Sequence, residues 1–188
     1  MKKHSLYLCL LFVSLSFYLQ AQNHVSFFEE HIDFTLDAGY FVINGIYSFH
    51  NDAEKDISQQ IVFPFADKTA AIDSIRIVNL STGRKIRFDR LENSVLFHFT
   101  LPSKDTVDVN IFYRQKISTL NKYIITSTQS WGKPLEKAVY TLTTDRNLKI
   151  KSFSYAPDST GMAANKRLYF WKKQHFIPKM DFEITIDK

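Results

Sequence analysis

Short runs of alternating apolar and polar residues, each closed by turn formers, dominate the chain. Ile32, Phe34 and Leu36 alternate with Asp33 and Thr35 before Asp37-Ala38-Gly39. Phe41, Ile43, Gly45, Tyr47 and Phe49 make one face of the next run, which His50-Asn51-Asp52 closes. A period of two marks a strand with one buried face. The same pattern predicts strands over residues 57–65, 72–80, 85–90, 95–101, 107–113, 123–128, 138–144, 148–155, 168–176 and 182–186. Pro64 and Pro102 suit strand ends, because proline cannot donate to a ladder. Helical periodicity is nearly absent. Eleven or twelve such strands predict an all-β fold, an antiparallel two-sheet β-sandwich.

The small and polar stretch over 156–167, APDSTGMAANKR, is expected as a long exposed loop. Residues 22–188 are expected to form a single unit, and any division into two packed sub-sandwiches would fall near residue 118.

The head of the chain breaks the pattern. Lys2, Lys3 and His4 precede an apolar run over 6–19, and Gln20-Ala21-Gln22 follows. A basic head, a short apolar centre and a small residue at the cut predict a signal peptide over 1–21, cleaved after Ala21. The apolar run is shorter than the ~20 residues a spanning helix needs. Export to the periplasm or the exterior follows as an expectation. Cys9, the only cysteine, lies in this segment, so residues 22–188 carry no thiol. Disulfides, thiolate zinc sites and cysteine nucleophiles are thereby excluded from the exported portion. Lys2 and Lys3 leave with the signal; the other Lys and Arg exceed the acids by 22 − 19 = +3, spread along the chain. That is no footprint for nucleic acid. No later apolar run is long enough to span a membrane as a helix.

Candidate chemistry is sparse. No Gly-x-Ser-x-Gly elbow occurs, and the five glycines form no phosphate-cradling loop. His24, His31, His50, His98 and His175 lack metal-ligand spacing, so no metal, cofactor or catalytic residue is assigned. Asp33 and Asp37 are the best carboxylate pair for a hydrolase, but they sit on a polar strand face. Aromatics are more informative. Trp131 stands in a Trp-Gly-Lys-Pro turn, and Tyr169 and Trp171 share one face of a strand. Exposed together with Tyr155, these rings would make a sugar-binding row. Large aromatics usually bury, which favours core for Trp171 and a plug at the turn for Trp131. Asp158-Ser159-Thr160 matches the short pattern of O-glycosylation used by some exported bacterial proteins, with Ser159 as the acceptor.

The segments GYFVINGIYSFHN, IVFPF, YIITSTQSWGKPL and YFWKKQHFIPKMDFEITI give the chain a pattern that resembles exported bacterial β-sandwich domains without known activity. The resemblance implies a sandwich at the cell envelope and supplies no functional residue. A non-enzymatic envelope module that binds a protein or glycan partner is therefore the first expectation. A carbohydrate-binding module is the alternative, and a carboxylate-dependent hydrolase is the weaker one.

Overall fold

The computed structural model describes residues 24–37, 39–68 and 71–187. The expected signal segment, with Cys9 and the cut after Ala21, lies outside the described residues. Fourteen strands are described: β1 (Val25–Asp37), β2 (Tyr40–Asn51), β3 (Ile57–Pro64), β4 (Ile72–Asn79), β5 (Arg84–Lys85), β6 (Phe88–Arg90), β7 (Ser94–Leu101), β8 (Thr106–Lys116), β9 (Leu120–Tyr123), β10 (Leu135–Asp145), β11 (Ile150–Phe153), β12 (Ser159–Ala163), β13 (Lys166–Phe176) and β14 (Phe182–Ile186). A 3₁₀ turn, Thr126–Trp131, separates β9 from β10. No helix among the described residues is long and apolar enough to cross a membrane.

Eight strands form one large sheet in the order β12-β13-β10-β1-β2-β8-β4-β5. Two three-stranded sheets, β3-β7-β6 and β11-β14-β9, make up the second layer. Both pack on the same face of the large sheet. Phe34 on β1 stacks on Phe182 of β14 at 4.7 Å, and Tyr47 on β2 meets Phe63 of β3 edge-on at 5.4 Å. The all-β sandwich is thus the observed fold, with its second layer split in two. The large sheet draws strands from both sides of residue 118, and one buried cluster runs through all three sheets.

Four local expectations need correcting. The pair β1/β10 is parallel, from Glu29 opposite Lys137 to Leu36 opposite Thr144, so the large sheet is mixed. The expected strand over 85–90 is two strands, because β5 joins β4 in the large sheet while β6 joins β7 in a small one. The expected strand over 123–128 ends at Tyr123. Asp181 Oδ1 accepts from Thr126 N (3.2 Å) and Thr126 Oγ1 (2.7 Å), which bends the chain into the 3₁₀ turn. The middle of the expected loop over 156–167 is the strand β12, paired with β13 from Ser159 opposite Phe170 to Ala163 opposite Lys166. Asp158 fastens its start: its carboxylate accepts from Lys172 N (2.7 Å) and Lys173 Nζ (2.7 Å), and these hold it below the usual carboxylate range.

A bulge in β1 sets the geometry that follows. Phe27 pairs with Phe49 and Glu29 with Ser48, so Phe28 is the extra residue. Val25 and Phe27 are buried before it; Glu30, Ile32, Phe34 and Leu36 are buried after it. The one-residue slip moves the inward face from odd to even positions. It puts Glu30 in the core opposite Tyr47, while Glu29 turns outward to an ion pair with Lys137.

Gly45 on β2 is the other local requirement. A Cβ there would lie 2.6 Å from Ile32 Cδ1 and from Tyr47 Oη, and 2.7 Å from Tyr47 Cε2. The Tyr47 ring therefore needs the missing side chain. Gly45→Ala is expected to cost roughly 1–3 kcal/mol by overpacking, measured by urea unfolding. An unchanged midpoint would mean that the ring does not lie over Gly45.

Candidate functional site

The two small sheets leave a gap where the edge strand β3 faces the 3₁₀ turn. A cavity of about 240 Å³ opens there. Its floor is the large sheet, with Phe27 and Glu30 from β1, Tyr47 and Phe49 from β2, and Ile111 from β8. Gln60, Ile61, Val62, Phe63 and Pro64 of β3 make one wall; Tyr123, Ser127, Thr128, Ser130 and Trp131 make the other. Gln60, Val62, Ser127 and Ser130 are exposed and ring the mouth, while Glu30, Tyr47, Tyr123 and Ile111 are buried at the bottom.

Each wall has a local cause. Pro64 removes a donor from the edge of β3 and ends that strand. The 3₁₀ turn stops at Gly132, whose φ of 69° is left-handed and natural for glycine. Gln129 Nε2 donates to Pro178 O (2.5 Å) and ties the turn to the segment before β14. Trp131 is half-buried, with its ring 6.0 Å from Phe27 and 5.5 Å from Phe49.

Glu30 dominates the electrostatics. It is 1% exposed. Its Oε1 accepts a hydrogen bond from the Tyr140 hydroxyl, and its Oε2 has no hydrogen-bond partner. Burial pushes its carboxyl up to about 7, against the opposing pull of Tyr140. Tyr47 Oη and Tyr123 Oη share a hydrogen bond of 2.8 Å across the bottom of the cavity. Burial raises Tyr47, Tyr123 and Tyr140 well above the ordinary phenol range, so all three stay neutral. Among the described residues, Glu30 is the only lining side chain that can carry charge near neutral pH. An apolar cavity with a few convergent polar groups and one displaced carboxyl is the form a small-molecule site takes.

The four aromatics read from sequence do not form one row. Trp131 lines the cavity. Trp171 is 1% exposed, edge-on to Phe182 at 4.9 Å, and its Nε1 donates to Tyr155 O (2.9 Å). Tyr169 is buried beside Phe153. Tyr155 is half-buried, and its hydroxyl bonds Met180 O (2.9 Å) and Lys179 N (3.1 Å). Ser159 is exposed at the start of the edge strand β12. Asp33 and Asp37 project from the polar face of β1, toward His31 and Lys166 respectively.

Two features escaped the sequence reading. Glu30 continues the even-numbered face of Ile32, Phe34 and Leu36 back by one period; that alternation was the available signal. The second is a cleft of about 370 Å³ beyond Phe27, where His50 Nδ1 lies 3.0 Å from Thr106 Oγ1 and His50 Nε2 lies 3.2 Å from Asp52 Oδ1. The carboxylate is more than half exposed, and Thr106 N donates to Asp105 Oδ1 rather than into the cleft. No group of three or more metal-ligating side chains forms among the described residues.

The fold is shared with solved structures. One is a Legionella pneumophila protein described provisionally as nutrient-binding, at TM-score 0.68 and 13% identity, covering 88% of this chain and 67% of that one. Another is an M1 zinc metallopeptidase from Deinococcus radiodurans, at 0.51 and 9%, covering 88% and 42%. A third is leukotriene A4 hydrolase from Saccharomyces cerevisiae, at 0.53 and 12%, covering 90% and 30%. The chain thus spans less than half the length of the last two. At such identities the likeness is one of fold, and function has to be argued from the site. No family model and no curated protein sequence matches the chain.

Proposed function

We propose that this chain is a ligand-binding module of the cell envelope and that its site is the cavity over Glu30. One observation carries the reading: a carboxyl that is 1% exposed lines an aromatic cavity with one oxygen unbonded. An unsatisfied buried acceptor costs about 1–3 kcal/mol, and a ligand that bonds it would offset that cost. The likeness to the Legionella protein supports a binding role. The basic head and apolar run over 1–21 support export.

Binding without turnover is supported by the hydroxyls around the cavity. Ser127 Oγ donates to Ile124 O (3.3 Å), Thr128 Oγ1 to Ile125 O (2.9 Å) and Ser130 Oγ to Ser127 O (2.8 Å). Each is tied to the backbone of its own turn, and none is held by a base as a nucleophile would be.

A thermal-shift screen of small fragments tests the reading, followed by titration of the hits. A hit is expected to bind Trp131→Ala at least ~5-fold more weakly than wild type, because one wall of the site is gone. Equal affinity for the two proteins would move the site elsewhere.

A further inference from the structure

We propose that the cavity takes a small primary ammonium compound with an apolar body, with the Glu30 carboxylate as its counter-charge and the rings of Trp131, Phe49 and Phe27 around it. This rests on the cavity being the ligand site and names the ligand's chemical class.

Three observations point the same way. The lining has one ionisable acid and no Lys, Arg or His, so an anion would meet a carboxylate with nothing to balance it. Glu30 Oε2 lacks a donor and is covered, so an ammonium N–H supplies one when the carboxyl turns toward the cavity that Glu30 lines. Trp131, Phe49 and Phe27 lie within 6.0 Å of one another in the pairs that include Trp131, and the faces of such rings attract cations. The space is about 240 Å³, roughly the volume of eight waters, so the ligand is small.

Affinity for such a cation is tied to pH. The titratable groups facing Glu30 are Tyr47 from β2, Tyr123 from β9 and Tyr140 from β10, all held neutral by burial. With the carboxyl titrating at about 7, its ionised fraction climbs as pH rises. Affinity is expected to increase roughly 30-fold between about pH 5.5 and about pH 8 and then to level off.

Calorimetric titration of the full chain with benzylamine, benzyl alcohol and benzoate tests the class, since the three share a ring and differ in charge. Benzylamine is expected to bind at least ~10-fold more tightly than the other two at about pH 8, and Glu30→Gln to lose at least ~10-fold for benzylamine alone. Trp131→Ala, which leaves the carboxyl in place, is expected to weaken benzylamine by a smaller factor. Benzyl alcohol binding as tightly as benzylamine would overturn the cation and leave the cavity standing as a site for neutral ligands. Equal benzylamine affinity in wild type and Glu30→Gln would overturn the counter-charge. Failure of benzylamine to bind at millimolar concentration overturns the proposal. If no fragment of the wider screen binds the cavity either, the reading of the site falls with it.

Discussion

At about pH 8 the Glu30→Gln protein is expected to be more stable than wild type, by on the order of 3 kcal/mol. The carboxyl titrates at about 7 in the fold and at the ordinary 4.5 when exposed. Between those values the folded chain holds a proton that the unfolded chain has lost. Wild-type stability from this group is therefore full below about pH 4.5, declines as pH rises through about 7, and stays low above it. Glutamine cannot ionise, so the variant lacks the decline, and its Oε1 can still accept from Tyr140. The gap between the two proteins should open from near zero at about pH 4 to its full size at about pH 8. Urea unfolding at three pH values measures it. Parallel curves would show that Glu30 is not held in its neutral form by burial. A residue that weakens the fold at neutral pH and strengthens binding is the trade expected of a functional group.

Trp171→Ala is expected to cost ~3–5 kcal/mol, the range for removing a large aromatic from a packed core. The ring is 1% exposed, lies 5.4 Å from Phe153 and 4.9 Å from Phe182, and donates to Tyr155 O. Its loss would open a void between β13 and β14 and leave that carbonyl without its donor. Trp131→Ala should cost clearly less, because that ring is half-buried at a cavity mouth and bonds nothing through its indole N–H among the hydrogen bonds described. Unfolding midpoints of the two variants, measured side by side, separate the roles. A Trp171→Ala loss below ~1 kcal/mol would mean that its ring faces solvent. The two tryptophans thus divide by burial, Trp171 in the core and Trp131 half-buried in the wall of the cavity.

Much of the fold was legible because burial of one sheet face writes itself into the chain at period two. The runs through Phe41 and Phe49, Val95 and Leu101, and Phe182 and Ile186 became β2, β7 and β14 with small changes at their ends. What was not legible depends on contacts distant in sequence. Nothing local says that β1 and β10 run side by side and parallel, 108 residues apart at the Glu29–Lys137 ion pair. The 3₁₀ turn is set by Asp181, far along the chain from Thr126. The β12–β13 hairpin turns at Ala164, whose φ of 50° is left-handed. A turn signal was hard to see there because alanine seldom takes that conformation. Glu30 was legible only from the run that follows it, because the bulge breaks the pattern before it. Odd positions face inward before Phe28 and even positions after it, so no single alternation covers β1.

The most direct test of the account follows the methyl groups of Ile61, Val62 and Ile111 by NMR while benzylamine or a fragment hit is added. These three side chains line the cavity, two from its wall and one from its floor. The account predicts saturable shifts at all three, with Ile77 and Ile184 in the core unmoved. Saturable binding that leaves the three methyls unshifted would contradict it, and would place the site away from Glu30.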